Sequence, residues 1–411
     1  MPSSPPGSEQ FPISPRMLAA APHRLLFFVG ATNVLLAMLW WALYLIDVRW
    51  QLIGLHPAPV FAGWAHAFVM QYQVLPPFMF GFLLTVFPRW MGLPELTRWH
   101  YLPVGLGLLS GQLLVLTGML GVPHLVHVGV ISTLAGWAAG LAILLRLLWQ
   151  DGGKTWHAVS CAVALTFGFL GVLLFAVYLH TNNAHLMFAS IKIGSFGLLL
   201  PIYFTVAHRM FPFFAGNMVS GYRPWRAMWP LLAFWMLAIA HLALELAHAY
   251  AWLWLADLPL LALCGYWLWR NAPRGPAPAL LSVLFLGYTW LPVALLLYTA
   301  QSLWFLSTGD FLLGRGPAHA LFIGFFGSLL VAMVTRVTQG HSGRPLQLGG
   351  VAAFAFITLQ FVAIARVVAE LMPDSPRWQA LAAVGWIIAF LPWVQRSAFI
   401  YLTRRTDGKP G

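Results

Sequence analysis

Fourteen histidines are the side chains in this sequence whose type and spacing bear most directly on chemistry. Neutral imidazole is the commonest metal ligand, and it is also the form of histidine that persists where water is scarce. His66, His127, His241 and His319 each fall inside a long apolar stretch, about one to two turns from its end at ~1.5 Å per residue. A polar ring at that depth needs a partner, and an ionisable residue inside an apolar span is a functional hypothesis by default. His241, Glu245 and His248 stand at i, i+4 and i+7, which is one face of a single helix. Such a face suits a copper site or a ligand with its supporting carboxylate, and it equally suits a polar cluster at a helix end. His66 and Met70 lie one turn apart and a His/Met pair can ligate haem iron. Two ligands on one helix cannot take opposite axial faces of the same iron, so Met70 is read as packing.

The elements that position these residues follow from composition. Of the 411 residues 60% are hydrophobic and only 8% charged, against about 25% charged in a soluble domain. A surface of this size cannot be covered with so little charge, so the solvent is the lipid bilayer. The net charge of +12 does not signal nucleic acid, because the cations fall in short breaks between apolar runs rather than on a solvated face. Cys161 and Cys264 both lie in apolar stretches, which leaves no disulfide framework and no C-x-x-C-H attachment site. Residues 1–23 are Pro/Ser-rich without an A-x-A-like cleavage site, and are expected to be a disordered cytoplasmic lead-in.

A membrane-crossing helix takes about 20 apolar residues, and charged or Pro/Gly breaks divide the chain into twelve such stretches. They run over 24–46, 62–86, 101–121, 124–149, 157–180, 185–214, 225–248, 250–269, 279–304, 317–339, 349–371 and 378–402. Lipid offers no hydrogen bonds to an unpaired backbone, so stretches of this length must be helices. The fold expected is an all-α polytopic membrane domain over 24–402, with a cytoplasmic tail at 403–411. Seventeen of the 22 Lys and Arg then collect on the side of the N-terminus. Arg49, Arg315, Arg366 and Arg377 lie on the other side, and Lys192 is intramembrane. Cytoplasmic loops carry the excess of cations, so both termini are expected to be cytoplasmic.

Spans 2, 6 and 10 share a pattern. Each opens near the outer face with a histidine (His66, His185, His319) and closes with an arginine, in "LLTVFPRWMG", "FTVAHRMFPFFAG" and "VAMVTRVTQG". Three units of four helices would produce this, and so would a general preference of inner helix ends for Arg and aromatics. Helix bundles build cofactor sites from facing helices, so His66, His185, His241 and His319 on spans 2, 6, 7 and 10 are the candidate cofactor-binding residues. His185, His241, Glu245 and His248 are the candidate metal ligands. His56, His124 and His180 are read as headgroup or carbonyl contacts. Arg89, Arg209 and Arg336 lie about a membrane thickness from the outer histidines, which suits orientation and headgroup contact. Pro76 and Pro77 should kink span 2 and free carbonyls that a neighbour must satisfy, and Gly107 and Gly111 should let span 3 approach another helix closely.

At the level of motifs, "HALFIGFFGSLLVAMVTRVTQGHSGRPL" (His319 to Leu346) closely resembles the signature of the NnrS family, polytopic bacterial membrane proteins linked to the nitric oxide response and reported to bind haem and copper. "HRMFPFFAGN" (His208 to Asn217) and "GFLLTVFPRWMG" (Gly81 to Gly92) are similar to two further family segments, in the same order. The resemblance implies a haem b protein of the bacterial inner membrane that helps cells withstand nitrosative stress, with nitric oxide as its small-molecule ligand and copper as the family's second metal. One segment departs. Where family members show W-H-x-H-E-M, this chain has "WAHAFVM", with His66 and Met70 in place but Phe68 for the second His and Val69 for the Glu. That removes an imidazole and a carboxylate from a copper or second-haem site. His319 and His341 match without change, and His341 beside Arg344 also suits a loop-ordering role.

Twelve helices with outer histidines on spans 2, 6, 7 and 10 also resemble the catalytic subunit of haem-copper oxidases and nitric oxide reductases, where spans 2 and 10 ligate one haem and spans 6 and 7 hold the second metal. The paired His of span 7 and the H-x-H of span 10 are absent here. Three readings of function follow. The first is a haem-bearing protein of nitric oxide defence, with iron between His66 and His319, a second site around His185 and His241, and an electron donor the sequence does not identify. The second is a secondary transporter, which twelve spans and a repeat suit but which Lys192, as the one clear midplane charge, supports poorly. The third is a divergent oxidase or reductase.

Overall fold

All twelve apolar stretches form helices long enough to cross a bilayer, in a computed structural model that describes residues 13–55 and 58–408. The spans are Pro22–Trp50, Ala62–Met91, Arg98–Met119, His124–Asp151, Trp156–Thr181, Ala184–Met218, Trp229–Leu246, Tyr250–Asn271, Ala279–Thr308, Gly316–Ser342, Gly350–Leu371 and Ser375–Leu402, numbered 1 to 12 below. No strand occurs among the described residues. The protein is a multi-pass helical membrane protein, as an apolar chain with no other way to satisfy its backbone must be.

An even number of crossings puts both ends of the chain on one face, and hydrogen bonds join them there. Ser14 N donates to the Leu402 carbonyl at 2.9 Å, and Arg24 Nη1 donates to the carbonyls of Tyr401 and Thr403 at 3.1 and 2.7 Å. These contacts correct the reading of the lead-in. Residues 1–12 lie outside the described residues, as does His56, but Pro15–Ala20 is a 3-10 helix and span 1 begins at Pro22.

Spans 2, 6 and 10 occupy the centre. Span 2 has 94% of its apolar window buried and span 10 has 78%, whereas spans 7, 8 and 11 have 39% and face outward. With Phe27 of span 1, the three enclose an apolar cavity of about 70 Å³ lined by residues such as Met79, Tyr203 and Met333. The same three spans, and none of the others among the described residues, contain a π-helical segment, at Met70–Val74, Ile193–Leu199 and Ala320–Gly327. Each adds an extra residue to the turn and rotates the following side chains, a distortion that is rare and concentrated at functional sites. The sequence pattern shared by these spans therefore corresponds to a shared backbone feature.

In span 2 the π-segment sits directly before Pro76 and Pro77, which cannot donate to the preceding turn. Leu75 N instead reaches the Met70 carbonyl at 3.4 Å. The freed Gln73 carbonyl accepts from Asn33 Nδ2 of span 1 at 2.7 Å, the neighbouring donor such a break calls for. Gln112 Nε2 of span 3 donates to the Asn33 carbonyl at 2.9 Å, and Gln73 Nε2 donates to Thr133 Oγ1 of span 4 at 2.8 Å. The four helices are thus stitched at one depth. Spans 3 and 4 meet backbone to backbone at the glycines expected: a Cβ on Gly107 would lie 2.6 Å from Gly136 Cα.

Span 7 departs from its sequence reading. It ends at Leu246, and His248 beyond it takes a left-handed φ of 55°. The i, i+4, i+7 face breaks after Glu245.

A candidate haem site at the face opposite the termini

Span 1 rises from the terminal face and span 2 returns, so the starts of spans 2 and 10 lie at the opposite face. His66 is in the first turns of span 2 and His319 in the first turn of span 10. Trp41 of span 1 stacks on the His66 ring, with centroids 4.2 Å apart and planes inclined at 10°. Stacking covers the ring's face and leaves the nitrogens at its edge open. Among the described residues nothing hydrogen-bonds that ring, and a polar ring inside an apolar bundle is costly to leave without a partner.

His319 is held differently. Its Nδ1 donates to the Arg315 carbonyl at 2.9 Å, which fixes the tautomer and leaves Nε2 as the lone pair. A carbonyl behind a histidine is the usual support of a metal-ligating imidazole. Arg315 and Arg366 act electrostatically on both the His66 and the His319 rings, and His66 acts on His319. Arg366 Nη1 is paired with Glu370 Oε1 at 2.6 Å. Arg315 makes no ion pair among the described residues and reaches across to span 2, where its Nη1 lies 3.5 Å from the position a Cβ of Gly63 would take. Two edge-open imidazoles from different helices with an unpaired guanidinium beside them fit a haem, whose iron takes axial histidines and whose carboxylates take arginine.

The second expected cluster is rearranged. His241 is fully buried: its Nδ1 is 2.6 Å from Asp257 Oδ1 of span 8 and its Nε2 is 3.6 Å from Glu245 Oε1. Phe196, in the π-segment of span 6, stacks on its face at 3.6 Å. Glu245 is paired in turn with Lys192 of span 6, Nζ to carboxylate 2.9 Å. The chain of groups runs Lys192, Glu245, His241, Asp257 across three helices. It borders a cavity of about 330 Å³ whose wall also includes Tyr298, Gln301 and Arg315. His185 and His248 lie outside this chain, exposed, with ring centroids 6.4 Å apart and His248 Nδ1 on Tyr250 Oη at 2.7 Å. The structure thus joins His241 with Glu245 and His185 with His248 but does not merge the pairs. No group of three His, Cys, Asp or Glu with metal-holding geometry occurs among the described residues. The cation at Glu245 is an ammonium, so copper does not fit there.

Sequence reasoning missed Asp257 and the partner of Lys192. The signal was available: an intramembrane Lys demands a counter-charge, and Glu245 and Asp257 are acids lying within spans. Sequence reasoning also missed that histidines pair across helices. His127 faces His180 at 4.9 Å with its Nδ1 unpartnered. At the terminal face the His23 and His341 rings lie 4.4 Å apart, tilted by 40°, and His157 bonds His208 at 3.0 Å. Of the three inner arginines, Arg89 pairs with Glu95 at 3.0 Å, Arg209 covers Trp90 at 4.3 Å and Arg336 covers Phe214 at 3.8 Å.

No curated protein matches the chain in a sequence search. Residues 17–405 match the family described as NnrS protein, and the match runs from the 3-10 helix before span 1 to the residues just after span 12. The chain belongs to the NnrS family.

Proposed function

We propose that this protein is a haem b protein of the nitric oxide response, seated in the bacterial inner membrane with both termini cytoplasmic and with the iron held between His66 and His319. The orientation rests on the excess of Lys and Arg on the terminal face. The observation that carries the haem reading is the pair of imidazoles in the first turns of the two most buried spans. One is tautomer-fixed by the Arg315 carbonyl and the other has no hydrogen bond. A haem bound there, held by His66 and His319, would supply an iron able to pass electrons or to bind nitric oxide. The chain's own part is to orient His319 through Arg315, to hold His66 flat against Trp41, and to offer the Arg315 guanidinium to a carboxylate. Absorption of the detergent-purified protein tests this: a Soret band is expected, lost or shifted in His66→Ala and in His319→Ala. A protein without the band, or a band untouched by both substitutions, sinks the assignment.

One observation favours a second reading, secondary transport. The Lys192, Glu245, His241 and Asp257 chain lies in the membrane beside a 330 Å³ cavity, where transporters keep coupling charges. Solute uptake by vesicles reconstituted with haem-free protein would favour it over the haem reading.

A further inference from the structure

A third cavity, of about 360 Å³, opens at the terminal face between the ends of spans 2, 5 and 6 and the loop that follows span 6. Its volume is that of a ligand pocket, ~300–1,000 Å³. The polar part of its lining is His157, His208, Arg209 and Arg226, and no carboxylate lines it.

The hydrogen bonds determine what each polar group has left to give. His208 Nε2 lies 3.0 Å from the Ala227 carbonyl, which can only accept, so Nε2 carries the proton and Nδ1 is an acceptor. His157 Nε2, 3.0 Å from that Nδ1, must then be the donor. This leaves the His157 Nδ1 lone pair facing Arg209 Nη1 at 3.5 Å. The two imidazoles are thereby spent on each other, on the loop and on steadying Arg209. Trp90 covers the face of the Arg209 guanidinium at 4.3 Å, which leaves its N–H edge open. Neither Arg209 nor Arg226 takes part in an ion pair among the described residues, and each lies within the other's field. Two guanidinium groups sharing a pocket without an anion are matched by a phosphate, which accepts two N–H bonds from each fork.

The apolar part of the lining indicates the source of that phosphate. Phe213 and Met228 border the cavity and are 47% and 39% exposed, near the end of span 6 and just before the start of span 7. The pocket therefore combines two guanidinium groups with apolar side chains that acyl chains can meet. Basic pockets between helices on the cation-rich face are the recognised form of headgroup site.

We propose that this cavity binds the phosphate headgroup of an anionic phospholipid from the leaflet at the terminal face, with Arg209 and Arg226 as the phosphate-binding side chains. The test is native mass spectrometry of the full-length protein in detergent, titrated with phosphatidylglycerol. Wild type is expected to retain phosphatidylglycerol. Arg209→Gln/Arg226→Gln should weaken the tightest binding event at least tenfold. Arg226→Gln alone, in an exposed loop where folding is not at stake, should weaken it severalfold, and Arg146→Gln, exposed on span 4, should not. Equal binding by wild type and the double variant overturns the proposal, as does equal retention of phosphatidylcholine, whose choline cancels the charge. Displacement of the lipid by millimolar inorganic phosphate would assign the pocket to free phosphate and overturn the lipid source.

Discussion

Removing the Glu245 carboxylate tests whether the Lys192, Glu245, His241 and Asp257 chain is a coupled charge network or four side chains that merely lie close. The geometry sets the scale. At 2.9 Å between Lys192 Nζ and the carboxylate, Coulomb's law with an effective dielectric of about 20 gives a gross attraction of ~6 kcal/mol. Glu245 is 3% exposed and loses its hydration, whereas Lys192 is 24% exposed to the adjoining cavity and keeps part of its own. Burial costs of several kcal/mol per ion offset much of the attraction, so the net coupling expected is about 2–3 kcal/mol. Glu245→Gln leaves the ammonium facing a neutral amide and takes one acceptor from beside His241 Nε2. It is expected to destabilise by less than Lys192→Met, because the ammonium it leaves behind still reaches the cavity, whereas Lys192→Met orphans a carboxylate that is only 3% exposed. Lys192→Met/Glu245→Leu should recover most of the loss, since replacing a buried ion pair with apolar groups of similar volume is often near neutral. Thermal unfolding of detergent-purified wild type, Lys192→Met, Glu245→Leu and the double variant closes the cycle. Additive losses, with a coupling under about 0.5 kcal/mol, would refute the network.

Two further outcomes follow from the packing and from an acidic loop contact. Gly107→Leu should cost about 1–3 kcal/mol by overpacking and part spans 3 and 4, because a Cβ alone would sit 2.6 Å from Gly136 Cα; a wild-type melting temperature would disprove the contact. Asp374, between spans 11 and 12, is held below the usual carboxylate range first by the Arg49 side chain, at 2.8 Å, and then by the Arg377 backbone N–H. Its contribution is present above the unfolded value of ~3.9 and is lost as the pH falls through the lower folded value, so Asp374→Asn should flatten that acid limb of a melting series, and an unchanged limb would remove the contact from the account.

The fold was legible because its signal is long: twelve runs of apolar residues, interrupted by cations on one side, leave few other arrangements in lipid. The site was legible only in part, and the reason is local. His241, Glu245 and His248 satisfy helical spacing, but the helix stops at Leu246 and turns His248 out through a left-handed residue. Spacing assumes the helix continues, and nothing in "ELAHAY" marks the stop with Gly or Pro. The π-segments mislead in the same way. Each inserts a residue against the 3.6 period, so faces assigned across Met70–Val74 or Ala320–Gly327 are rotated from those of a regular helix. Asp257 could be named only by asking which acid lies at the depth of His241, a question of tertiary neighbours rather than of motif.

The difference among the three central spans bears most on function. Spans 2, 6 and 10 share a π-segment and a terminal-face arginine, a common plan repeated along the chain. Two of them place a histidine in the first turns of the helix, one stacked on Trp41 and one fixed by the Arg315 carbonyl. The third does not: His185 of span 6 is exposed at the lip beside His248, and the polar group that span 6 carries further in is Lys192, paired with Glu245. A three-fold scaffold with three inward imidazoles would make a small-ion site. Two imidazoles with a cationic third sector suit a dianionic group better than a bare cation, and Arg315, whose charge acts on both rings and whose side chain lines the cavity beside Lys192, links the two sectors. The departure from symmetry, rather than the symmetry, is what favours a haem over a metal ion at this face.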